Sequence, residues 1–163
     1  MTNILTLDLG TTTGFAVGRP GASSSGSWPL KPARGESAGM RGVKFIRQLD
    51  KLQSELGISF VFYEEVKRHA GTYAAQVYGG LAQTLMTWCV QNNVEYAGVP
   101  VGTIKKWATG KGNADKAAMM NAARCWGYEP GDDNEADAIA IFEMKCTEGY
   151  CGVQPEQREE QFK

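Results

Sequence analysis

The chain has 163 residues, with 17 Lys+Arg against 18 Asp+Glu and a formal charge of -1. That length suits one domain with a core of its own and leaves little room for a second. The near-neutral balance excludes a globally basic protein that coats nucleic acid, so any nucleic-acid surface must be local. No apolar run approaches the roughly 20 residues that a membrane-spanning helix needs.

The first segment, "NILTLDLG", has apolar residues on both sides of its alternation and ends in Asp8. It reads as a strand covered on both faces, where an unpaired carboxylate would cost roughly several kcal/mol and therefore needs a compensating partner, a metal ion among the candidates. "TTGFAVGRP" is a second strand, joined to the first by a "GTT" hairpin rather than by a phosphate loop of the Walker type. The Gly-, Ser- and Pro-rich stretch that follows is loop, with a third, edge strand around Ser25 to Leu30. From Ala38 to Leu56, apolar positions recur every three or four residues and predict an amphipathic helix.

"ISFVFYEEV" is a dense strand of β-branched and aromatic residues that again ends in acid, at Glu64 and Glu65. A basic loop, "KRHAGTY", leads to a long helix from about Tyr73 to Asn92, and "VEYAGVP" is the next strand. A short helix around Thr103 to Trp107 precedes the glycine-punctuated basic loop "ATGKGNADK", which carries Lys111, and then a helix from about Asp115 to Trp126. The last helix is "DDNEADAIAIFEMKC"; residues 1–148 form the domain, and residues 149–163 read as a polar, flexible tail. No internal repeat is visible.

This order predicts an α/β fold with a mixed five-stranded sheet, an antiparallel hairpin in front of parallel crossovers, and helices on both faces. The first and fourth strands can pair in parallel. Asp8 and Glu64 would then lie side by side near the carboxyl ends, about 4.8 Å apart, close enough to share a cation. Glu64 or Glu65 could instead be the first solvated residue after a strand.

The third acidic segment shifts the balance. Asp132 as N-cap, with Glu135 three residues later, explains the acids of the first turn through capping and the helix dipole. It does not explain Asp137, embedded among Ala136, Ala138, Ile139, Ala140, Ile141 and Phe142, with Asp133 and Asn134 one turn earlier on the same face. Hard oxygen donors without histidine or cysteine suit Mg²⁺ or Mn²⁺ rather than zinc. Two such ions, about 4 Å apart, can hold a phosphodiester between them, which makes phosphoryl transfer the favoured chemistry. The four cysteines, Cys89, Cys125, Cys146 and Cys151, form no CxxC, and His69 is the only histidine. The expectation is reduced thiols in a cytoplasmic protein without a zinc site or leader.

In order and spacing, "LDLGTTTGFA", "FVFYEEV", "GKGNADK" and "DDNEADAIAIF" resemble the RuvC family of Holliday junction resolvases, especially its phage-encoded relatives. The resemblance covers nearly all of residues 3 to 146. It implies a ribonuclease H-like fold, of the retroviral integrase superfamily, and a homodimer that cuts branched DNA in recombination, repair or phage DNA processing. It also implies two Mg²⁺ ions per site, with Mn²⁺ as substitute, and a location in bacterial or phage-infected cytoplasm. By position it makes Asp8 the first-strand ligand, Glu64 the fourth-strand ligand and Asp137 the final-helix ligand. The family's remaining ligand position falls on neutral Asn134; Asp133 is the expected replacement, with Asn134 acting through water and Glu65 as the alternative to Glu64.

The resemblance also places Lys116 near the scissile phosphate, where its charge would oppose that developing in the transition state, and Lys105 as a second such lysine. Lys67 and Arg68 are the expected phosphate contacts, with Lys111 on the second basic loop, and His69 or Tyr73 would stack or wedge against bases. Bacterial relatives carry an aromatic residue where this chain has Lys67, so the residue that opens the junction is left unassigned. "DLGTTTG" also resembles the first phosphate motif of the sugar kinase, Hsp70 and actin ATPases, but the chain has no room for their second lobe. A ribonuclease H-type nuclease and a non-catalytic junction binder are the remaining alternatives; the intact Asp8, Glu64 and Asp137 weigh against the latter.

Overall fold

The computed structural model describes residues 2–151. Five strands, β1 (Asn3–Asp8), β2 (Thr12–Arg19), β3 (Ala22–Pro29), β4 (Ile58–Glu65) and β5 (Glu95–Pro100), form one sheet in the order β3-β2-β1-β4-β5. The β1–β2 and β2–β3 pairs are antiparallel, whereas β1–β4 and β4–β5 are parallel. The predicted mixed sheet is therefore present, and β3 is longer than expected because it pairs with β2 along its whole length.

Alternation along β1 divides the core. Leu5 and Leu7 point to the face covered by helices α1 (Met40–Leu56) and α2 (Thr72–Gln91), where they join Phe45, Leu49, Leu81 and Leu85. Ile4 points to the opposite face and packs with Phe62, Val99 and the helices α3 (Val101–Thr109), α4 (Lys116–Cys125) and α5 (Asp133–Thr147). Thr6 and Asp8 share the Ile4 face, because successive strand side chains alternate. The carboxylate at the end of β1 is thus aimed at α5.

Helix α5 is buried through its middle: Ala136, Ala138, Ile139, Ala140 and Ile141 have no exposure. The predicted cap is in place, with Asp132 Oδ1 accepting from the Glu135 backbone N–H at 2.8 Å. The edge strand reinforces it, since the Ser27 hydroxyl donates to Asp132 and the Ser25 hydroxyl to Glu135.

One expectation is overturned after α5. Cys146 and Cys151 are joined by a disulfide rather than being free thiols. Gly149, at φ 87°, reverses the chain beyond the helix, and the Gly149 and Tyr150 N–H groups donate to the carbonyls of Cys146 and Lys145. This helix-terminating turn brings the two Cα atoms to 4.6 Å, a proximity that a search for metal-ligand spacing does not register. Tyr150 packs on Phe60 and Phe62, and Cys151 is buried, so the core reaches past residue 148; the expected tail beyond Cys151 lies outside the described residues. Cys89 and Cys125 are unpaired, and among the described residues no helix is long and apolar enough to cross a membrane.

Candidate metal centre

The parallel ladder between β1 and β4 ends with Leu7 opposite Tyr63, so the next residue on each strand brings Asp8 beside Glu64. Helix α5 crosses the same face and supplies Asp137. One carboxylate oxygen from each of Asp8, Glu64 and Asp137 lies within 4.8 Å of the others. Glu64, only 8% exposed, rather than Glu65, is the strand-end acid that joins the cluster.

Packing like charges together out of water disfavours ionisation. Burial holds the Asp8 carboxyl well above its usual range, and Glu64 adds to this through its charge and a shared hydrogen bond, ahead of Asp137 and Asp133. Burial, followed by the charge of Glu64, pushes Asp137 up to about 7, against the opposing pull of Lys105 and Lys116. Asp137 Oδ1 is also buried without a hydrogen-bond partner among the described residues. A buried acceptor in that state is costly, and a divalent cation would satisfy it while relieving the repulsion. The all-oxygen donor set fits Mg²⁺ or Mn²⁺.

A pH dependence follows for the metal-free protein. Asp137 binds its proton more tightly folded, at about 7, than at its ordinary 3.8, so the folded state carries more protons between these values. Its contribution to stability is complete below pH 4 and is lost as pH rises through 7. In a chelator, the melting temperature should fall between pH 5 and pH 8, and Asp137→Asn should flatten that slope and raise the value at pH 8. A wild-type slope that the substitution leaves unchanged would disprove this source.

Asp133 stands apart from the three clustered acids. Its Oδ2 is 2.7 Å from the Lys116 ammonium at the mouth of the site, and this bond, followed by the charge of Asp133, pushes the lysine above its ordinary range. The pair brings Lys116, at the start of α4, to the first turn of α5. Asn134 lies on that same turn, with its backbone against Gly14. Lys105 is half-buried on α3, and Lys111 is exposed on the loop beyond it. Lys67 and Arg68 are exposed after β4; His69 is half-buried with its ring 4.9 Å from that of Tyr78, and Tyr73 is 61% exposed, its hydroxyl accepting from Arg41 at 3.0 Å.

Three supporting residues escape the sequence reading. Thr6 is completely buried, and its hydroxyl donates to the carbonyl of Ala138 at 2.7 Å, tying the strand that bears Asp8 to the helix that bears Asp137. Gly14, opposite Asp8 on β2, has no room for a side chain, since an added Cβ would lie 1.9 Å from the Asn134 carbonyl oxygen. Tyr78, on α2, turns its hydroxyl to the end of β4. It donates to the Glu64 carbonyl at 2.9 Å and accepts from the Val66 N–H at 3.1 Å. A small residue opposite a strand acid, or a hydroxyl within a strand, carries no local signal of these roles.

Tyr78→Phe keeps the ring and removes both bonds. It is expected to cost about 1 kcal/mol of stability, through two part-buried backbone groups that lose their side-chain partner, and to weaken metal affinity by about 10- to 100-fold, as the loss of outer-shell support typically does. Calorimetric titration with Mn²⁺ measures the second effect; wild-type affinity in the variant would show that Tyr78 does not hold Glu64 in place.

A mixed sheet in this order, with helices on both faces and acids at the shared ends of β1, β4 and α5, defines a ribonuclease H-like α/β domain with a candidate metal site. Solved structures make the likeness more particular. The RuvC of Thermus thermophilus bound to a Holliday junction substrate superposes with a TM-score of 0.74 at 18% identity, covering 93% of this chain and 98% of that one. A second structure of Thermus thermophilus RuvC gives 0.68 at 20% identity over 91% and 94%. The yeast mitochondrial Holliday junction resolvase Ydc2 gives 0.59 at 12% over 86% and 75%. No protein-family model and no curated protein matches the chain. At these identities the likeness is one of fold, and the chain has the RuvC variant of the ribonuclease H-like architecture.

Proposed function

We propose that this protein is a divalent-metal-dependent endonuclease that resolves four-way and related branched DNA. The observation that carries the reading is the trio Asp8, Glu64 and Asp137 gathered at one end of the sheet, with a buried Asp137 oxygen that has no hydrogen-bond partner among the described residues. These residues would hold Mg²⁺ or Mn²⁺, and Asp133 and Asn134 on the adjoining turn would support the site. When bound, two such ions would supply an activated water and charge stabilisation at the leaving oxygen of a phosphodiester, which would leave 5′-phosphate and 3′-hydroxyl ends.

The remaining residues bind and orient the strand. Lys116, held by Asp133 at the mouth, and Lys105, whose charge also reaches Asp137, would present positive charge where a scissile phosphate would rest. Lys67, Arg68 and Lys111 would contact flanking phosphates, and their contribution should weaken with added salt. His69 and Tyr73 offer ring faces to bases. A homodimer would set two sites across a symmetric junction. The exposed Gly79 and Gly80 on α2, where a Cβ would meet nothing within 4 Å, offer a face for close approach by a second copy. This reading places the protein in the cytoplasm of a bacterium or phage-infected cell.

The test incubates the protein with a labelled four-way junction, a matched linear duplex and an RNA–DNA hybrid, with and without Mg²⁺. Symmetric, metal-dependent nicking of the junction alone is expected. Cutting of the hybrid would move the protein to the ribonuclease class; junction binding without cutting would make it a binding module.

A further inference from the structure

Six of the 17 Lys+Arg but only two of the 18 Asp+Glu fall in residues 31–51, the loop between β3 and α1 and most of α1 itself. That segment therefore carries +4 in a chain of formal charge -1. Both of its acids are already engaged. Glu36 Oε2 accepts from Lys44 at 2.8 Å and from the Ala33 N–H, and Asp50 Oδ1 accepts from the Trp88 indole on α2. Lys31, Arg34, Arg47 and Lys51 are exposed and form no salt bridge among the described residues. Lys44, Arg47 and Lys51 recur at i, i+3 and i+7, the spacing of one helix face. The Lys44 ammonium also donates to the Lys31 carbonyl at 3.2 Å, which folds the loop against the same flank. The segment begins at the end of the sheet that bears the carboxylates: the Leu30 N–H donates to Thr11, in the turn after Asp8, at 2.8 Å, and Arg41 at the head of α1 reaches Tyr73.

We infer that this flank seats the phosphate backbone of a duplex arm that leads away from the point of cleavage. The inference rests on the nuclease reading and adds to it a surface remote from the carboxylates. A near-neutral chain needs a local concentration of cations to hold nucleic acid, and here the local charge is left uncompensated. Helix α1 starts at the carboxylate end and runs away from it, so its cations continue outward from the site. Between Lys44 and Lys51 the helix rises about 10 Å, the span of about three successive phosphates on one strand. The only aromatic residue in the segment, Phe45, is fully buried, so the surface offers no ring on which an unpaired base could stack. Cations without base-reading or stacking groups suit the backbone of paired DNA, whatever its sequence.

The test combines Arg47→Gln with Lys51→Gln, two exposed positions outside the metal site, so the melting curve of the double variant should match that of the wild type. Fluorescence anisotropy in metal-free buffer measures the binding of both proteins to a four-way junction. With two phosphate contacts removed, the slope of log affinity against log salt should be shallower by about 1.8, so that between about 50 and 200 mM salt the wild type loses roughly tenfold more affinity than the variant. A second readout uses junctions that each carry one uncharged methylphosphonate at successive positions along an arm. About three neighbouring positions, away from the crossover, should weaken binding by the wild type and not by the variant. Equal salt slopes, or a scan in which only phosphates at the crossover matter, would overturn the inference and leave the flank to an acidic protein surface. Metal-dependent cutting of the junction by the same wild-type protein would then keep the nuclease reading standing. A wild type that neither prefers the junction to a linear duplex nor cuts it would overturn both.

Discussion

Asp8→Asn is expected to abolish metal-dependent cleavage of a four-way junction while leaving junction binding within a few-fold of the wild type. Asparagine matches aspartate in shape and removes the charge from the carboxyl that shares a hydrogen bond with Glu64 and lies within 4.8 Å of Asp137. Outer-shell changes at metal sites cost about 10- to 100-fold, so loss of a ligand charge should cost more, on the order of a thousandfold in rate. Binding should persist because, on the proposed reading, it rests on the exposed lysines and Arg68, which the change does not touch. The metal-free variant should be more stable than the wild type near neutral pH, since burial and Glu64 already hold Asp8 well above its usual range and the variant no longer needs that proton. The wild type should gain melting temperature on adding Mn²⁺, and the variant should lose most of that gain. An inactive but stabilised protein cannot be explained by unfolding; a variant that still cuts would remove Asp8 from the site.

Gly14→Ala should have a comparable effect by a different route. The new Cβ would lie 1.9 Å from the Asn134 carbonyl oxygen, 2.2 Å from its carbon and 2.7 Å from the Glu135 nitrogen. All three are backbone atoms of a helix fixed by the Thr6 bond to Ala138 and by the Ser27–Asp132 cap, so no flexible side chain can yield. Helix α5 must withdraw from the sheet and take Asp133 and Asp137 with it. Overpacking typically costs about 1–3 kcal/mol, and this backbone clash belongs at or above the upper end. A displacement near 1 Å at the chemistry is worth roughly a hundredfold in rate. Chemical denaturation and a single-turnover cleavage assay measure the two effects, and excess metal should not restore the rate. Gly102→Ala is the control: its nearest atom, the Gly112 carbonyl oxygen, lies 3.9 Å away in ordinary contact, and a helical alanine should be neutral or stabilising. Equal behaviour of the two variants would show that the close approach of α5 at Gly14 does not matter.

The two substitutions differ in how visible their targets are in the sequence. Asp8 and Asp137 stand out because each is an acid in an apolar setting, a conflict between a residue and its local pattern that needs a compensating partner. The strands, the amphipathic α1 and the Asp132–Glu135 cap are equally visible, since their signals span two to four residues. The pairing of β1 with β4 follows from element order, because an antiparallel hairpin followed by crossovers leaves few ways to assemble one sheet. Those features, together with the oxygen-only character of the site, were determined by the sequence alone.

Tertiary packing decided the rest. Thr6 and Ala138 are separated by 132 positions, and nothing in either segment announces a hydrogen bond between them. Asp133 is one more acid in a capped first turn until α4 brings Lys116 to 2.7 Å from it. The Cys146–Cys151 bond depends on the reversal at Gly149, and the role of Tyr78 depends on the end of β4 lying under α2. The physical reason is one of range. Alternation, helical period and capping act through neighbours along the chain, whereas the spacing of three carboxylates is set by how closely a helix can approach a sheet, and the atoms that limit that approach come from segments far apart in sequence.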